Sequence, residues 1–210
     1  MNSSLNKRII WLAIGSLFVL LGLEFFLNYD TTDRQIALAI TNLVTLAIYL
    51  SIHLYWQKKF KIELPWIVIW SVAIGVWLDA VGNFAHYYVD LAWYDDFTHV
   101  VGTMTVAVAL FVILRSLNRI GQIKVSRFVL SLFTVSLSVM LSSFYEITEY
   151  WGDMMFNTYR IGDRFDTASD LMWNLLGAVV VVLVANLISK KQSIREVSNN
   201  YSSSDIERTK

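Results

Sequence analysis

Six runs of about 20 mostly apolar residues occupy the chain between residues 9 and 188. A helix that long crosses the hydrocarbon core of a bilayer, about 30 Å thick. No other feature constrains this chain as strongly, because backbone in lipid must satisfy its own hydrogen bonds. The composition agrees: 56% hydrophobic, 16% charged, one proline and no cysteine, with a mean hydropathy of +0.51. These values exclude a soluble α/β enzyme, a disulfide scaffold, a nucleic-acid module and a disordered chain.

The runs place spans at about 9–28, 35–56, 66–88, 97–117, 128–149 and 168–188. The expected fold is therefore all-α, a polytopic membrane protein with six transmembrane helices in one domain over residues 1–189. The polar stretch 190–210 reads as a disordered cytoplasmic tail. The first span follows Lys7 and Arg8 like a signal peptide, but its apolar stretch is too long and has no small-x-small cleavage site, so it is expected to remain as an anchor.

A formal charge of zero hides a strong asymmetry. The N-terminus, the second and fourth loops and the tail hold 14 of the 17 basic residues and only four of the 17 acids, a balance of +10. The remaining loops and spans carry three basic and 13 acidic residues, a balance of −10. Every short basic loop falls on one face, which the positive-inside rule assigns to the cytoplasm. The expected location is the prokaryotic cytoplasmic membrane with both termini inside. Trp11, Trp56, Trp66 and Trp70 then lie near the inner ends, and Tyr87, Tyr88, Trp93, Tyr94, Tyr150 and Trp151 near the outer ones, as interfacial aromatic belts do.

Acids and histidines inside spans each cost about 2.5–3.5 kcal/mol at a helix centre, so each needs a partner or a wet cavity. In the third span Asp79, Asn83 and His86 are spaced to share one face, with Asp79 placed near midplane. The fourth opens with Asp95, Asp96 and His99, where either carboxylate can orient the imidazole or join it as a ligand. Both acids also suit N-capping, Asp95 more so, and Asp166 suits it on the sixth span. The fifth carries Glu146 and Glu149 on one face, and the sixth Asp166, Asp170 and Asn174. Asn174 with Gly177 also fits close helix packing. Glu24 and His53 read as interfacial residues outside the site.

All these groups fall at one level, towards the outer side. They describe an outward-open cavity with seven carboxylates and one nearby guanidinium, Arg164, with Arg160 further off. Such an excess of negative charge calls for a cation: Mg²⁺, Mn²⁺ or Ca²⁺ on oxygen, or Zn²⁺ or Fe²⁺ if both histidines ligate. Protons shared among the carboxylates would serve equally.

At these residues the chain resembles a known group. Tyr94-Asp95-x3-His99-x2-Gly102, Ser143-Phe144-Tyr145-Glu146-x2-Glu149 and Asp166-Thr167-x2-Asp170-x3-Asn174-x2-Gly177 are similar to the YjdF family of bacterial inner-membrane proteins. Where that family usually reads Trp-Asp-Thr-Gln-Trp-Asp, this chain has Phe165, Ala168 and Ser169 between and beside the retained aspartates. A more distant likeness is to VanZ-like membrane proteins, with Asp96 in place of a lysine and Glu149 in place of a glutamine. These resemblances imply a common polar site and transfer no reaction.

Three functions are compatible with the sequence. In the first, the protein is a metal-dependent hydrolase or transferase of the outer leaflet, acting on a lipid, lipid-linked or small-molecule substrate with no role for nucleic acid. Its expected ligands are His99, Glu146, Glu149 and Asp170, with Asp96 or His86 as base and Arg164 clamping an anion. Asp79, Asn83, Asp95, Asp166 and Asn174 support them. The second is a proton- or cation-coupled transporter that uses Asp79. The third is a binding or scaffold protein with the polar cluster as glue.

Overall fold

The computed structural model describes residues 3–27, 32–61 and 63–208. Its helices are α1 (Ser3–Phe26), α2 (Thr32–Phe60), α3 (Trp66–Phe84), α4 (Tyr87–Asp90), α5 (Tyr94–Arg119), α6 (Arg127–Phe156) and α7 (Arg164–Arg208). All except the four-residue α4 are long and apolar enough to cross a membrane, six spans in all among the described residues.

Local signals set the helix ends. Pro65, with φ −59°, precedes α3, where the missing N–H costs nothing. Ser126 caps α6 by accepting the Val129 amide at 3.3 Å, and Asn157 ends that helix in the left-handed conformation, φ 55°. Asp163 caps α7, accepting the amides of Phe165 at 2.7 Å and Asp166 at 3.1 Å. Asp166 therefore does not cap it. The backbone of α7 stays helical to Arg208; residues 190–208 have no glycine or proline to stop it.

The third span is shorter than its hydropathy suggests. It stops at Phe84, and His86 turns the chain left-handed with φ 58°. Residues 87–90 then fold back as α4 over the end of α3. Asp79 accordingly lies five residues from the end of α3, about 8 Å by helical rise, closer to that end than the longer span suggests.

Polarity is inverted relative to a soluble protein. Leu12, Phe18, Leu54, Phe128, Leu183 and Leu187 are exposed, while Glu24, Asn42, Thr134, Ser138, Glu146, Asp170 and Asn174 are buried. Only a lipid solvent makes that arrangement favourable. Helix α5 is the centre, packed against α3, α6 and α7, and α1 and α2 lie on α3. Helix α2 meets α6 marginally and, among the described residues, touches neither α5 nor α7.

Small residues bring the central helices together. A Cβ on Gly177 would collide with the Val100 carbonyl of α5, and one on Gly82 would strike the rings of Tyr94 and Tyr88. Replacing Gly177 by valine should therefore cost about 1–3 kcal/mol through overpacking, read as a lowered unfolding temperature in detergent. Gly15→Val, where a side chain has no neighbour within 4 Å, should stay within about 0.5 kcal/mol of wild type. Equal behaviour of the two variants would contradict the close α5–α7 contact.

Candidate functional site

Helices α2, α3, α5, α6 and α7 enclose a cavity of about 550 Å³ at the end of the bundle where the acidic loops lie. Its size falls in the range of about 300–1,000 Å³ usual for ligand sites. Asp79, Asn83, Asp95, His99, Glu149, Asp166, Asp170 and Asn174 all line it.

His99 is the hub of the deeper wall. Its Nε2 lies 3.6 Å from Asp95 Oδ1 and 3.5 Å from Asp170 Oδ1, and its Nδ1 lies 3.6 Å from Glu146 Oε1. These spacings are long for hydrogen bonds, which favour about 2.7–3.2 Å. They do fit a shared ion: two ligands each about 2.1 Å from a metal at a tetrahedral angle stand about 3.4 Å apart. One ligand atom from each of Asp95, His99 and Asp170 lies within 4.8 Å of the others. Glu146 is 5% exposed and Asp170 4%. Among the described residues neither oxygen of Glu146, nor Oδ1 of Asp170, has a hydrogen-bond partner. Carboxylate oxygens in that condition are expensive unless something cationic meets them.

Glu146 stands on the other imidazole nitrogen, the place of a carboxylate that orients a ligating histidine. Glu149, one turn further along α6, lines the same cavity and accepts from Arg160 Nη2 at 3.2 Å. Asp95, which the sequence favours as a helix cap, makes no capping bond on α5; its side chain turns to His99 instead.

A second network holds the opposite wall. Asp79 accepts from Asn83 Nδ2 at 3.1 Å, Tyr88 Oη at 3.0 Å and Tyr145 Oη at 3.3 Å. Burial and the neighbouring Asp79 carboxylate push the Tyr88 phenol well above its usual range, so it remains a donor. Arg34, from α2, reaches Asn83 Oδ1 at 3.4 Å. Thr103 donates to Asn174 Oδ1 at 2.6 Å and lies 2.8 Å from Ser142 Oγ, which joins α5, α6 and α7 beneath the cavity. Asn174 thus serves both helix packing and the cavity wall.

Four residues expected at the chemistry do not line the cavity: Glu146, which stands behind the imidazole of His99, and Asp96, His86 and Arg164. Asp96 is one helical step round from Asp95 and accepts from Ser169 at 3.3 Å, tying α5 to α7. His86 lies beyond the end of α3 and so leaves the face of Asp79 and Asn83. Arg164 opens α7 and sits over the Phe165 ring, 4.8 Å from its centroid. Arg160 and Arg34 supply the guanidiniums on the wall instead. They are two of the three basic residues outside the positively charged loops, a signal present in the sequence. Glu24, read as interfacial, is fully buried and accepts from Asn42 at 3.4 Å.

Arg160 is placed by its own loop. Asp153, near the end of α6, accepts the amides of Arg160 at 2.8 and 2.7 Å and of Ile161 at 2.9 Å, and the Thr158 hydroxyl at 2.6 Å. Asp153→Ala should remove amide exchange protection at Arg160 and Ile161 while leaving mid-helix amides of α6 protected. Hydrogen exchange that leaves the two loop amides protected would show that Asp153 does not hold the loop.

Six apolar helices around an acidic, histidine-bearing cavity define a multi-pass membrane protein with a buried polar site. The family described as "Predicted membrane protein (DUF2238)" matches residues 9–191, and the chain belongs to it. This is the YjdF family whose motifs the sequence resembles; the match does not extend to a VanZ-like relationship. No curated protein and no solved structure matches the chain.

Proposed function

We propose that the protein is a divalent-cation-dependent membrane hydrolase or transferase acting on a lipid or lipid-linked head group at the non-cytoplasmic face. The observation that carries this reading is the convergence of His99, Asp95 and Asp170 beside buried, unbonded carboxylate oxygens. In this reading those three side chains hold the ion and Glu146 orients the imidazole. One imidazole with two carboxylates suits Mn²⁺ or Zn²⁺ better than Ca²⁺, whose sites are built from oxygen, and Mg²⁺ remains compatible through water ligands. The ion would activate a water or neutralise a phosphate oxygen. Arg160 and Arg34 stand where an anionic group would need donors.

The transporter reading rests on Asp79. Its contacts with Tyr88, Tyr145 and Asn83 supply the partners that an acid in a span needs, which supports a part in holding the wall rather than in carrying charge across.

Equilibrium binding of Mn²⁺ and Zn²⁺ to detergent-purified protein tests the cation. Wild type should bind one ion, His99→Ala and Asp170→Asn should lose it, and Glu146→Gln should weaken it about 10- to 100-fold. Glu149→Gln should bind as wild type. A folded wild-type protein that takes up neither ion would overturn the reading.

The proposed orientation, with both termini and the basic loops in the cytoplasm, is supported by the charge asymmetry. The chain has no cysteine, so single substitutions report cleanly. Asn157→Cys should react with an impermeant maleimide in intact spheroplasts, and Gly121→Cys only after lysis. The reverse pattern would turn the molecule over and place the cavity on the cytoplasmic side.

A further inference from the structure

At the acidic end the wall of the cavity includes the exposed residues Ala92, Tyr159 and Asp166. Leu141 also lines it and is 44% exposed, yet it sits at the middle of α6. Thr45, at the middle of α2, belongs to the same wall. Helices α2 and α6 approach each other at few positions. From Asp95 to Val106 the wall runs 11 residues along α5, about 16 Å of helix. It begins with carboxylates and guanidiniums and ends among Val72, Val76, Val106 and Leu141.

A chamber that is charged at one end and whose inner wall mixes threonines with valines and the lipid-exposed Leu141 suits an amphiphile. We propose that a phospholipid with a small anionic phosphate head enters laterally between α2 and α6. Its head lies between the Asp95–His99–Asp170 group and Arg34 and Arg160, and one acyl chain leaves past Thr45 and Leu141. This names the substrate class of the function proposed above and rests on it. A volume of about 550 Å³ suits a head group and the first part of one chain, with the remainder of the lipid kept in the bilayer. The charges agree: guanidiniums pair with phosphate oxygens in bidentate fashion, and a bound cation would neutralise the acidic side. Gly102 provides a way to close the passage without altering a polar group, because it lines the cavity and a side chain there meets nothing within 4 Å.

The test places purified protein in nanodiscs doped with phosphatidic acid bearing a diazirine in mid-chain, followed by irradiation and mass-spectrometric mapping. Label should concentrate at Thr45, Val106 and Leu141. Gly102→Leu and Leu141→Trp should each cut it about tenfold while Mn²⁺ affinity stays within about twofold of wild type. Label spread over lipid-facing positions such as Phe18 and Leu183, and unchanged in both variants, would overturn the proposal. So would a cavity that binds inorganic phosphate while no label enters it, since the anion would then come from water. Concentrated label in a protein that binds no Mn²⁺ would uphold the side entrance and remove the cation-dependent reading alone.

Discussion

Lipid cannot hydrogen-bond, and that single constraint organises this molecule. Each carboxylate, imidazole or amide carried by a span must find its partner inside the bundle. The chain carries such groups on α3, α5, α6 and α7 at one end, and packing those helices around α5 turns separate polar stripes into one chamber. Apolar faces outside and polar groups inside are two results of the same solvent preference.

Within the chamber the polar groups divide by how well the protein satisfies them. The Asp79 side is closed: tyrosines and an amide occupy its oxygens, and Gly82 provides the space that lets Tyr88 fold back over α3. The His99 side is open. Glu146 and Asp170 are more deeply buried than Asp79, yet oxygens of both lack hydrogen-bond partners among the described residues. The interior thus completes one network and leaves its neighbour incomplete. Arg160 stands at the boundary, held from behind by Asp153 and in front by Glu149.

Much of this was legible in the sequence because it rests on helical periodicity and hydropathy. The six spans and the inward row Asp166, Asp170, Asn174 follow from spacing alone. Other features depend on interactions that spacing does not encode. The left-handed turn at His86 breaks a face that the intervals between Asp79, Asn83 and His86 suggest is continuous. Asp95 and Asp96 are adjacent, and only the azimuth of α5 decides which one meets His99. Asp163 takes the capping role that suited Asp166 equally well by composition. Arg34 enters from α2, a helix whose sequence shows little beyond hydrophobicity. Its contribution appears only when α2 is laid against α3.

A chamber lined by polar groups and sunk into an apolar bundle must admit water and ions if it is to hold a cation. Gly102 lines that chamber, whereas Gly15 faces outward on α1. Each can be replaced by cysteine in a chain that otherwise has none, and the rate of reaction with a charged methanethiosulfonate measured in membranes. The account predicts rapid modification of Gly102→Cys, slowed by added Mn²⁺, and an inert Gly15→Cys. A Gly102→Cys as unreactive as Gly15→Cys would contradict it.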